Sequence, residues 1–237
     1  MNISSFFLPF FNIFTLVLGL ITLVILGLNI YVFYLQSQLI GLEKFDLWLK
    51  YGSIPFEIVN NIDKEPCVEF SIRWTLVTSM FLHAGWLHLI GNMLYLWIFA
   101  KGVENEMGYL RFTAFYLLCG VLASLSHIAS QPESIIPAIG ASGAISGVMG
   151  AYLRLNPEAK ILTVFVLPGT LIRLVPVPAF MYLVHWLFFQ LVQGFYLSRL
   201  PYSDGGVAWF AHIGGFFGGL FLAKYFEKPA FPLWGIF

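Results

Sequence analysis

Gly140-Ala141-Ser142-Gly143-Ala144-Ile145-Ser146-Gly147 sets one serine among small residues at the head of an apolar run. Small residues at such spacing let two membrane helices bring their backbones close together. Ser142, Gly143, Ser146, Gly147 and Gly150 form one stripe of this kind. A second apolar stretch, Ala211-His212-Ile213-Gly214-Gly215, runs on to Gly219. His212, Gly215 and Gly219 share a helical face, because offsets of three and four residues align. The two stripes match as partners, and a histidine above their contact would face Ser142. Packing alone would also account for the small residues, so the serine and the histidine have to be weighed together.

The composition fits helices in lipid. Of 237 residues, 59% are hydrophobic and 10% charged, with a mean hydropathy of +0.83. This is the composition of a polytopic membrane protein and not of a large soluble core. Lys and Arg balance Asp and Glu at 12 each, so no basic excess points to nucleic acid. Cys67 lies in a polar stretch and Cys119 in an apolar one, which argues against a disulfide between them.

About 20 apolar residues are needed to cross roughly 30 Å of hydrocarbon. Six segments qualify, at approximately 13–35, 82–100, 109–130, 141–155, 177–198 and 207–226. The fold class predicted is all-α: one membrane domain over 1–237, with six transmembrane helices. The first segment is too long for the apolar core of a cleavable signal and reads as a retained span. The fourth is short, closed by Arg154 and Pro157. The apolar connection Ile161 to Val175 is interrupted by Pro168, Gly169 and Arg173, and reads as a surface-lying loop. The long connection 36–81 mixes Phe45, Trp48 and Tyr51 with charges such as Lys44, Asp46 and Lys50. That mixture suits a segment in the outer membrane interface.

Lys101, Arg111, Arg154, Lys160, Arg173, Lys224 and Lys228 fall on one side of a six-span chain. The positive-inside rule then sets both termini in the cytoplasm. The heads of the second, fourth and sixth segments thereby meet near the outer face. His212 would sit about 6 Å deeper than the start of its helix, at 1.5 Å rise per residue.

Polar groups on such segments are costly and point to function. Ser142 is a nucleophile candidate only with a base to take its proton, and His212 is that base. His88 and Asn92 lie four apart in His83-Ala-Gly-Trp-Leu-His88-Leu-Ile-Gly-Asn92 and share a face. They are candidate donors to an oxyanion, as is the Ser142 amide; interhelical hydrogen bonding is the plainer alternative. His83 stands at the segment mouth as a supporting candidate. Ser146 is a rival nucleophile one turn deeper, and His127 and His185 read as packing histidines. No acid lies in the second, fourth or sixth apolar cores, so a Ser-His dyad is predicted and a triad with Asp is not. No metal and no cofactor is called for: there is no His-Glu-x-x-His helix.

These motifs, in this order, resemble the rhomboid family of intramembrane serine proteases over about 70–225. The resemblance implies Ser142 as nucleophile, His212 as general base, and His88, Asn92 and the Ser142 amide as oxyanion donors. It implies a long loop resting partly in the membrane and a fifth span that helps gate substrate entry. It implies a structural acid at Glu104, and packing at Gly143, Gly147, Gly215 and Gly219. The partners implied are transmembrane protein substrates within the lipid bilayer. The compact six-span form looks like bacterial members, so a bacterial inner membrane is expected. Two departures stand out. Ser146 occupies a position where some members carry an aromatic residue against the histidine. Trp74-Thr75, preceded by Arg73, replaces the Trp-Arg pair of many members. A catalytically inactive rhomboid-like protein that binds membrane clients is the alternative. A small transporter is less favoured, with no buried acids and no paired inverted half-repeats.

Overall fold

Each of the six apolar segments contains one long helix in the computed structural model, which describes residues 19–64, 70–166, 172–197 and 207–229. In chain order the elements are α1 (Leu20–Ser37), α2 (Leu42–Tyr51), α3 (Pro55–Asn60), α4 (Thr75–Thr78), α5 (Trp86–Met107), α6 (Tyr109–Ser130) and α7 (Ser142–Leu155). The strands β1 (Lys160–Val166) and β2 (Ile172–Pro178) follow, then α8 (Ala179–Leu197) and α9 (Trp209–Phe226). The start of the first expected segment, Cys67, Pro168 and Gly169 lie outside the described residues.

α7 is the centre of the bundle. Every residue from Gly143 to Ala151 is buried, against Cys119 and Tyr116 of α6, Phe99 of α5 and Phe216 of α9. The stripe of small residues is what permits this. A Cβ added at Gly215 would stand 2.2 Å from the Gly143 carbonyl oxygen, and one at Gly219 would stand 1.8 Å from that of Gly147. A Cβ at Gly150 would meet the Phe216 carbonyl at 2.0 Å. α7 and α9 thus touch backbone to backbone. With 14 residues, α7 is about 21 Å long at 1.5 Å per residue, short of a full crossing. α1 and α6 are each long and apolar enough to cross a membrane. The outer faces of the helices stay apolar: Leu23, Val24 and Tyr31 on α1, and Met181, Val184 and Phe188 on α8, are exposed. Apolar surface on this scale marks a surface made for contact with lipid or protein.

The second segment departs from its expected end at residue 100. α5 runs on through Lys101 and Glu104 to Met107. The reason lies in α1, whose first turn has no side-chain cap of its own. Glu104 supplies one. Its carboxylate accepts hydrogen bonds from the amides of Ile21 and Thr22 at 3.0 and 2.9 Å and from the Thr22 hydroxyl at 2.7 Å. A buried carboxylate is thereby held by the orphan donors and the positive end of a helix. Glu104 is 5% exposed, so its removal leaves buried donors without acceptors. Glu104→Ala is expected to lower unfolding stability by about 2–4 kcal/mol, read as a loss of melting temperature in detergent.

The connection expected to be a surface-lying loop is a β-hairpin, one two-stranded ribbon in a fold that is otherwise helical, in keeping with the all-α expectation. β1 and β2 pair antiparallel from Lys160↔Pro178 to Val166↔Ile172. The run is rich in Val, Ile, Thr and Phe, which favour strands. Pro176 sits opposite Leu162, which a ribbon tolerates because both its strands are edges.

One end of the bundle gathers basic residues. Arg154 pairs with Glu227 at 3.7 Å. Arg111 donates to the Glu227 carbonyl at 2.7 Å, and Lys228 to that of Asn105 at 2.7 Å. At the other end the long first connection folds onto the approach to α7. Ser53 and Ala138 exchange backbone hydrogen bonds of 3.0 and 2.9 Å, and the Gly140 amide donates to the Ser79 carbonyl at 2.9 Å. α2 buries none of its residues, and Lys44 stands over the Trp48 ring at 5.4 Å. Arg73 and Trp74 are both exposed.

Candidate active site

Ser142 opens α7, and the chain reaches it through a turn at Gly140. Gly140 has φ +125°, a backbone region that L side chains rarely adopt. A Cβ at Gly140 would stand 2.7 Å from His88 Nε2 and 3.8 Å from Asn92 Nδ2. The turn that leads into Ser142 therefore lies directly against the His88–Asn92 face of α5. Ser142 itself is half-buried, within reach of a small solvent-sized cleft lined by Gly140, Gly143, His127, Ala208 and Ala211.

His212 enters from the first turn of α9. Its Nε2 lies 2.8 Å from Ser142 Oγ, across the contact made by the small residues. An imidazole nitrogen at this distance is able to take the hydroxyl proton. The opposite nitrogen, Nδ1, lies 2.7 Å from Gln190 Oε1 on α8. Trp186, one turn before Gln190, holds its ring 6.0 Å from the imidazole centroid at 39°. Trp209 meets the same imidazole edge-on at 6.3 Å. Two aromatic rings from other positions thus flank His212, whereas position 146 carries a serine.

His88 Nδ1 accepts from the Ala84 amide at 3.3 Å, which leaves the proton on Nε2, the nitrogen that faces Gly140. Asn92 is buried, and its Nδ2 donates to the His88 carbonyl at 3.0 Å. One of its two N–H groups is so used, and the other is free to serve elsewhere. N–H groups of His88 and Asn92 thus lie beside the Gly140 turn that leads into Ser142, and the His212 imidazole meets the Ser142 hydroxyl.

The remaining candidates fall differently. His83 does not stand at an entrance: it is fully buried, edge-on to Phe33 at 6.5 Å and to His88 at 5.0 Å. Its backbone is held by Gln36, whose amide donates to the His83 carbonyl and accepts from the His83 amide. Ser146 donates to the Ser142 carbonyl at 2.7 Å and is 1% exposed, so its hydroxyl is committed to the helix. His185 is exposed on α8, away from the site. His127 lies nearer than a packing role suggests, since it lines the cleft beside Ser142. Gln190 and Trp186 were not legible as site residues. The one available signal was a lone amide in an otherwise apolar helix, which by itself reads as interhelical bonding. Among the described residues no three His, Cys, Asp or Glu side chains gather as a metal site would require.

The Rhomboid domain family profile matches residues 72–229, which include His83, His88, Asn92, Ser142, Gln190 and His212. RHOMBOID-like protein 6, mitochondrial, of Arabidopsis thaliana is 31% identical over 171 residues, covering 72% of this chain and 49% of the relative. Rhomboid protease GluP of Bacillus subtilis is 33% identical over 158 residues, covering 66% of this chain and 26% of the relative. Rhomboid protein 1, mitochondrial, of Saccharomyces cerevisiae is 32% identical over 159 residues, covering 65% and 42%. The chain spans about half or less of the length of these curated relatives. They include mitochondrial as well as bacterial proteins, so kinship does not support the expected bacterial inner membrane. With a family profile running from Ile72 past the end of α9, and relatives of this kind over the same region, the chain belongs to the rhomboid family.

Proposed function

We propose that this protein is a serine protease that hydrolyses peptide bonds in or near transmembrane segments of other membrane proteins. The observation that carries the reading is the 2.8 Å pair between His212 Nε2 and Ser142 Oγ, formed by two helices held backbone to backbone. Membership of an integral membrane family that includes a protein named as a protease supports it.

The chemistry follows from the pair. His212 Nε2 accepts the Ser142 proton as Oγ attacks the scissile carbonyl carbon. The developing oxyanion meets the His88 Nε2–H, an Asn92 N–H and the amide of Ser142 at the positive end of α7. The imidazolium then gives its proton to the leaving amine. Water, activated by the same imidazole, releases the acyl group and restores the serine. The six long helices are proposed to cross the membrane, α7 only in part, with the basic end and both termini in the cytoplasm. A helix in lipid hides its backbone in hydrogen bonds, so a substrate has to unwind near its outer end to reach Ser142.

The test is cleavage of a single-span substrate by purified protein in liposomes, beside His212→Ala. Cleavage by wild type alone supports the reading. No cleavage by either, across several substrates and with the fold intact, favours a client-binding member without activity. His88→Ala is expected to lower kcat by about a hundred- to a thousandfold with little change in KM, because its N–H acts on charge that develops only after attack. An equal rise in KM would assign His88 to substrate binding instead.

A further inference from the structure

We infer that Gln190 is a positioning residue for His212, the third and uncharged member of the catalytic group, and this rests on the protease reading above. To accept the Ser142 proton, His212 must present a bare Nε2. Its proton must then sit on Nδ1, and a buried Nδ1–H needs an acceptor. Gln190 Oε1, at 2.7 Å, is an amide oxygen and only accepts. That one contact selects the reactive tautomer and fixes the ring plane. Gln190 is 5% exposed in a helix whose neighbouring residues Phe188 and Phe189 are apolar, so water is a poor substitute for it. Trp186, one turn away on the same face, flanks the same imidazole. Together the two side chains of α8 do what an aromatic residue at position 146 is not there to do.

The arrangement also explains how the site works without an acid. Among the described residues, the other titratable side chains that act on His212 are His88 on α5 and His127 on α6. Neither is an anion, so orientation of the base falls to a neutral dipole. Because Gln190 sits on α8, a displacement of that helix would carry the acceptor away from Nδ1.

The experiment compares wild type, Gln190→Leu and Gln190→Glu in liposomes, each checked for an unchanged melting temperature. Rates of Ser142 modification by a fluorophosphonate and of substrate cleavage are followed between pH 5 and 9. Gln190→Leu is expected to slow both about ten- to a hundredfold with KM unchanged. Gln190→Glu restores an acceptor oxygen, so it should recover most of the rate. Its carboxylate stabilises the imidazolium, so the acid limb of the profile should move to higher pH. Wild-type rates in Gln190→Leu would overturn the assignment. So would a folded Gln190→Glu variant at least about tenfold slower than wild type with an unmoved acid limb, and that outcome does not depend on the leucine variant folding. A wild-type protein that reacts with neither reagent nor substrate would instead overturn the underlying protease reading.

Discussion

Ser142→Ala is expected to abolish cleavage, by about a thousandfold or more, in a protein that still folds. Among the described residues the Ser142 hydroxyl is the one bonded to His212 Nε2, and Ser146 is bonded instead to the Ser142 carbonyl. What remains is the N–H cluster acting on water, and such residual catalysis is small once a nucleophile is gone. The structural cost is slight. Among the described residues Ser142 Oγ makes one side-chain hydrogen bond, to His212, at a half-buried position open to the cleft. Losing it should change stability by no more than about 1 kcal/mol. The check is a cleavage assay beside a thermal melt. Residual cleavage near the wild-type rate would show that another nucleophile acts.

Gly219→Val should have the largest effect on the fold. A single Cβ there would stand 1.8 Å from the Gly147 carbonyl oxygen. Backbone gives no way to yield except by moving α9 off α7. The neighbouring Gly150 and Gly215 contacts would open with it. Overpacking costs about 1–3 kcal/mol where side chains can shift, and here only helices can shift, so more than about 3 kcal/mol is expected. Activity should fall with stability, because the Ser142–His212 distance depends on the same contact. A melting temperature like wild type would contradict the close approach of the two helices. Gly27, by contrast, has nothing within 4 Å of an added Cβ, and Gly27→Ala serves as the neutral control.

The helices were legible because hydropathy and small-residue stripes report local and pairwise physics. Tyr109–Ser130 coincides with its expected segment, and Ser142–Leu155 and Trp209–Phe226 lie within two residues of theirs. Glu104 extended α5 beyond its expected end because its charge is satisfied by a helix more than 80 residues away in sequence. The β-hairpin was hidden for a related reason. Its apolar run reads equally as loop or strand until its partner is known, and Pro168, Gly169 and Arg173 looked like interruptions.

The site was legible to the same extent. Ser142 and His212 announce themselves as polar groups above matched glycines, and His88 and Asn92 as a pair one turn apart. Gln190 did not, because nothing in Leu187-Phe188-Phe189-Gln190-Leu191 says which way the amide turns. Its meaning comes only from the approach of α8 to the imidazole. His83 misled in the opposite direction: it leads its motif in sequence but lies inside the fold, behind His88.

The most direct measurement is covalent. Purified wild-type protein and His212→Ala are treated with a fluorophosphonate, and the modified residue is located by peptide mass spectrometry. The account predicts a single adduct on Ser142 in the wild type and none in His212→Ala. A folded wild-type protein that carries no adduct, or carries it on another serine, would contradict it.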